Sequence, residues 1–155
     1  MITKTTKIIG VIGQGKDCPP ELLQAAEEVG YYIGQRHGIL ICGGLGGIME
    51  AACFGCKSAG GVTIGVLPGA QKSDANQYVD IPIITGMGEA RNLIIVRSAD
   101  VLIAIGGKYG TLSEIAFALS FGKPIVGLHT WPHFSQIIQV ESAEQAVKAA
   151  FKLIE

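Results

Sequence analysis

The chain has 155 residues and a formal net charge of -1, with 48% hydrophobic and 16% charged residues, the balance of one globular domain spanning residues 1–155. At that length a single core buries roughly 70% of the unfolded surface, so neither disulfides nor a structural metal is required. The near-neutral charge supplies no broad cationic field for nucleic acid or acidic membranes, and no run of about 18 apolar residues offers a membrane span or signal segment, so a cytoplasmic protein with neither partner is expected.

From the N-terminus, Lys7–Gly13 (KIIGVIG) reads as a buried strand that runs into Gly13, Gln14 and Gly15. Pro19 and Pro20 then open a helical segment to Arg36, because proline in the first turn removes only a donor the helix leaves unmatched. Gly38–Cys42 is the second strand, followed by Gly43-Gly44-Leu45-Gly46-Gly47 and a helix over Gly47–Ala59. Cys53-Phe54-Gly55-Cys56 lies inside that helix with no second pair or histidine to complete a zinc site. It reads as small buried residues, and Cys18, Cys42, Cys53 and Cys56 as reduced thiols.

Val62–Leu67 and Ile81–Thr85 are the third and fourth buried strands, the latter leading through Thr85-Gly86-Met87-Gly88 into a helix over Glu89–Ser98. Asp100–Ile105 is the fifth and ends on Gly106-Gly107-Lys108-Tyr109-Gly110-Thr111 before a helix over Thr111–Phe121. Gly122, Lys123 and Pro124 stop that helix. Pro124–Leu128 is the sixth strand, and His129 and His133, on either side of Trp131-Pro132, read as loop packing. A seventh strand, Ile137–Val140, is placed at an edge, and Ser142 with Gln145 caps a last helix over Ser142–Ile154.

Strands alternating with helices predict a Rossmann-like, doubly wound α/β domain: a mostly parallel sheet of six or seven strands with helices on both faces. Glycine, at 22 of 155 residues, is about twice as frequent as usual. Four of the strand-to-helix turns carry it. In this fold such turns stand along one sheet edge and aim helix N-termini, with unpaired amides and positive partial charge, into a common crevice suited to phosphate. Each turn alone is equally a tight connection. No G-x-x-x-x-G-K-[ST] occurs, and the first turn lacks the full G-x-G-x-x-G with its acidic residue, so ordinary ATP or NAD chemistry is not indicated.

Glu89-Ala90-Arg91-Asn92, then Gly106-Gly107-Lys108-Tyr109-Gly110-Thr111-Leu112-Ser113-Glu114, together with Gly43-Gly44-Leu45-Gly46-Gly47-Ile48-Met49-Glu50, form an ordered pair of motif regions. In these the chain resembles the LOG (Lonely guy) and molybdenum-cofactor carrier group, often labelled "possible lysine decarboxylase", from about Lys7 to Leu128. LOG enzymes cleave the N-glycosidic bond of nucleoside 5′-monophosphates. The resemblance assigns catalytic roles to Arg91 and Glu114, and ligand binding to Gly106, Gly107, Gly110 and Thr111, with Gly43, Gly44 and Gly47 as the opposite wall; Gly13, Gln14, Gly15, Gly46 and Asn92 are added as candidate binding residues. Three departures point to the carrier-like branch: the extra residue at Lys108-Tyr109, Asn92 where LOG proteins generally have lysine, and Glu50 in place of glycine.

Hydrolysis of a ribosyl C–N bond passes through a sugar cation and needs a carboxylate at the ribose, which Glu114 supplies one turn along from Gly110. Arg91 clamps phosphate or holds that carboxylate ionised. Lys16 and Lys108 are further candidate phosphate contacts, and Glu50 and Glu89 are either charges on a solvated face or charges at the pocket mouth. No metal ligands are found, no cofactor is required, and no Schiff-base lysine site supports a lysine decarboxylase. The expected ligand is a phosphorylated small molecule, whether nucleotide, phosphate or molybdenum cofactor. Binding without turnover is the first reading, and a phosphoribohydrolase is the alternative. Apolar surface on Ile48–Ala59, Leu93–Val96 and Ile115–Leu119 implies a homodimer or homotetramer.

Overall fold

A computed structural model describes residues 1–155. Its elements are β1 (Ile8–Gly13), α1 (Pro20–Gln35), β2 (Ile39–Cys42), α2 (Ile48–Ser58), β3 (Val62–Leu67), β4 (Ile81–Ile84), α3 (Asn92–Ser98), β5 (Val101–Ile105), α4 (Tyr109–Phe121), β6 (Ile125–Leu128), β7 (Ile137–Val140) and α5 (Ala143–Leu153). They build a 7-stranded sheet in the order β4-β3-β2-β1-β5-β6-β7, with every ladder parallel. No helix is long and apolar enough to cross a membrane.

Aliphatic runs without polar alternation suit strands buried on both faces, and β2, β5 and β6 are buried at every position. One face of the sheet packs against α1, α2 and α5, through Val29, Ile33, Ala52 and Val147. The other packs against α3 and α4, through Ile95, Val96, Ile115 and Ala118. From β1 the chain winds outward to β4, then β5 returns to the far side of β1, paired from Ile9↔Val101 to Gly13↔Ile105. That reversal splays the turns after β1 and β5 apart at the carboxyl edge and leaves a crevice between them.

Three expectations are corrected. β4 is not a buried strand: it ends the sheet with one neighbour, and Ile81, Ile83 and Ile84 are 47%, 40% and 42% exposed. The helix expected over Glu89–Ser98 is a 3-10 turn at Gly88–Arg91 followed by the short α3. Ser142 does accept from the Gln145 amide at 3.2 Å, but the Gln145 side chain returns to the amide of Glu141 at 3.0 Å rather than to that of Ser142.

Candidate functional site

The crevice between the ends of β1 and β5 has a volume of about 350 Å³. Its floor and walls come from three places. The β1–α1 turn contributes Gly13, Gln14, Gly15, Lys16 and Asp17; the β2–α2 turn contributes Gly43, Leu45 and Met49; and the segments flanking β5 contribute Glu89, Arg91, Asn92, Lys108, Gly110, Thr111 and Glu114. Gln14 braces its own turn by donating to the carbonyls of Lys16 and Asp17, both at 3.0 Å.

Arg91 is the buried cation of the crevice, 6% exposed. Its Nε donates to the carbonyl of Val66 in β3 at 2.9 Å, and Nη1 donates to the side-chain carbonyl of Asn92. The carboxylate paired with it is Glu89, 3.9 Å away on a side chain that is 82% exposed. Asn92 also donates to Ser113 Oγ at 3.2 Å, and Ser113 Oγ donates to the carbonyl of Gly110 at 2.7 Å. A side-chain relay therefore ties the residue beside Arg91 to the first turn of α4. The guanidinium also explains Gly43: a Cβ there would lie 2.6 Å from an Arg91 nitrogen and 2.7 Å from the Met49 sulfur.

Glu114 sits inside the crevice, 7% exposed. Burial pushes its carboxyl up to about 8, against the opposing pull of Arg91. Arg91 therefore does not hold Glu114 ionised as expected; no ion pair joins them, and desolvation outweighs the more distant guanidinium. At neutral pH the site holds a fixed cation beside a largely protonated acid.

Of the residues expected to form the site, the structure brings together Gly13, Gln14, Gly15, Gly43, Arg91, Asn92, Gly110, Thr111 and Glu114, along with Lys16, Lys108 and Glu89. Gly106 and Gly107 face a separate hollow with His129, Thr130, Trp131 and His133, because Thr130 Oγ1 draws in the Gly106 carbonyl at 2.6 Å. Gly47 and Glu50 open onto a third hollow with Glu27, Glu28, Phe54 and Tyr78. Gly44 is packed against Leu67 and Gly65, and Gly46 lines none of the three. The turn Thr85–Gly88 also stays outside, since β4 stands beyond β3 and β2 from the reversal.

Sequence reasoning passed over Asp17, Leu45 and Met49. Met49 stands two positions past the last glycine of the turn, so its place in the first turn of α2 was a usable signal; Asp17, with φ of 55°, left none. No group of three or more His, Cys, Asp or Glu residues is placed to hold a metal ion.

The model of the SLOG cluster4 family matches residues 6–153. The molybdenum cofactor binding protein of Rippkaea orientalis superposes with a TM-score of 0.93 at 37% identity, covering 99% of this chain and 100% of that one. The Moco carrier protein of Chlamydomonas reinhardtii does so with a TM-score of 0.88 at 39% identity, covering 96% and 98%. The cytokinin riboside 5′-monophosphate phosphoribohydrolase of Mycobacterium tuberculosis is 34% identical over an alignment of 127 positions, gaps included, that covers 74% of this chain and 66% of that protein.

Proposed function

Because the chain belongs to the SLOG cluster4 family, we propose that its crevice binds a phosphorylated small molecule, a nucleotide or a pterin-type cofactor, and holds it without turnover. The observation that carries this reading is Arg91: a buried guanidinium, fixed on a backbone carbonyl, whose paired carboxylate is solvated and 3.9 Å away. A buried charge so weakly compensated is costly, and an anion entering the crevice relieves it. The first-turn amides of α4 at Gly110 and Thr111 have no carbonyl one turn back to bond, and with the helix dipole they favour the same anion. Lys16 and Lys108, both exposed at the lip, add attraction at the entrance.

Likeness to two proteins that handle the molybdenum cofactor supports a pterin-type ligand. The residues present fit its phosphate end, through amides and a guanidinium. The metal and dithiolene of such a ligand are its own chemistry; this chain would bind and shield it. We also propose that the protein self-associates.

A second reading rests on Glu114. A carboxyl that keeps its proton at neutral pH is an acid able to protonate a departing base, and the mycobacterial relative is a phosphoribohydrolase. Incubating the protein with AMP while measuring binding calorimetrically and adenine by chromatography separates the two. Carriage predicts saturable binding with no free adenine. Adenine release that disappears in Glu114→Gln would overturn it in favour of hydrolysis, and failure of AMP and pterin phosphates alike to bind would sink both.

A further inference from the structure

We propose that Cys42 and Cys53 form a redox-active dithiol that closes reversibly into an intramolecular disulfide, and that closure loosens the glycine wall of the crevice. Cys42 is the last residue of β2 and Cys53 lies midway along α2. Their sulfurs are 3.6 Å apart, a gap that side-chain rotation and a small helix shift bring to the roughly 2 Å of a disulfide. The 11-position separation encloses the whole Gly43–Gly47 turn. Cys42 Sγ also accepts the amide of Gly44 at 3.4 Å, so the atom that would enter the new bond is the one that now holds the turn.

The surroundings divide the labour between the two thiols. The hydrogen bond from Cys53, the Gly44 amide and the charge of Arg91 favour the anion at Cys42 and hold its thiol below the ordinary value despite burial. The same hydrogen bond, with burial, pushes the Cys53 thiol up. A thiolate-prone sulfur beside one that keeps its proton is the arrangement that thiol–disulfide chemistry uses. The other two cysteines are engaged elsewhere: Cys56 donates to the Val62 carbonyl at 3.7 Å, and Cys18 to that of Gln14 at 3.2 Å.

Both sulfurs are fully buried, so the oxidant must be small, and hydrogen peroxide arriving from the crevice at Gly43 meets that need. The Cys42 thiolate attacks one peroxide oxygen; an S–O bond forms, the O–O bond breaks and hydroxide leaves, taking up the proton that Cys42 released. Cys53 then attacks the sulfenic sulfur, and the hydroxyl departs with the Cys53 proton as water. In sum, two thiols and one peroxide yield a disulfide and two waters.

The test treats the ligand-free protein with hydrogen peroxide, alkylates the remaining thiols and maps the peptides by mass spectrometry, with amide exchange followed alongside. The expected result is a Cys42–Cys53 link reversed by dithiothreitol, with Cys18 and Cys56 alkylated. Exchange across Gly43–Gly47 should quicken about tenfold as the Gly44 amide loses its acceptor. Cys56→Ser should leave the link in place. A link to Cys56, over-oxidation of Cys42 without a link, no oxidation, or unchanged exchange overturns the proposal. Wild-type mapping decides the matter even if Cys56→Ser fails to fold, and since no readout uses a ligand, the result is independent of whether the crevice binds or hydrolyses nucleotides.

Discussion

Between the ordinary glutamate range and about pH 8, the folded chain keeps a proton on Glu114 that the unfolded chain releases. Unfolding then sheds a proton, so stability falls as pH rises through that window, by at most about 1.4 kcal/mol per pH unit from this group, and levels off above it. Glu114→Gln removes the titration: denaturant curves at pH 5 and pH 8.5 should converge for the variant and diverge for the wild type. A second expectation concerns Arg91. Losing a charge-assisted contact of roughly 2–3 kcal/mol should weaken AMP binding about 30- to 150-fold in Arg91→Met. Arg91→Lys should recover only part of this, because an ammonium lacks the guanidinium fork; calorimetry measures both. The sequence motif singled out both residues, whereas their separation was invisible in it, because it depends on Val66 in a strand 25 positions away capturing the guanidinium.

The helix pair α1 and α2 shows what local pattern conveys and what it cannot. Both segments were readable from their spacing of apolar residues, and their ends fall within a residue of expectation. The closeness of their packing was not readable, because it is set by pairs distant in sequence: a Cβ on Gly55 would stand 1.8 Å from the Glu27 carbonyl, and one on Gly30 1.9 Å from that of Ala52. Gly55→Ala must therefore push the helices apart, at a cost of about 3 kcal/mol or more, seen as a markedly lower Tm. Gly110→Ala, at a position where a Cβ would meet nothing within 4 Å, should leave Tm unchanged or raise it slightly, since alanine restricts the unfolded chain. The 3-10 turn at Gly88–Arg91 escaped the helical pattern because tertiary anchoring of Arg91 overrides the local period.

At the scale of the molecule, apolar surface is left over at a sheet edge as well as on the helices where it was expected. Of those helices, α1 covers most of the apolar residues of α2 but leaves Phe54 39% exposed, and on α3 and α4 Ile94, Phe117 and Leu119 are only partly buried. At the β4 edge, Ile81, Ile83, Ile84 and Met87 are between 40% and 47% exposed. An edge strand this apolar invites pairing, so light scattering after gel filtration should report an assembly larger than a monomer, and Ile83→Lys should shift it toward monomer. A wild-type monomer at micromolar concentration would refute this. Alternation of strand and helix made the doubly wound sheet legible, and β7 was placed at an edge from its sequence, but that β4 closes the other rim depends on the order of pairing, which its own stretch does not encode.

The tether between Arg91 and the Val66 carbonyl has a consequence for exchange. A host whose charge is already locked in its receiving posture needs no rearrangement to admit a guest, so capture should be fast. By the same token it stores no spring to eject one. If the crevice carries a ligand as proposed, its delivery has to be driven by a recipient that grips the cargo more firmly.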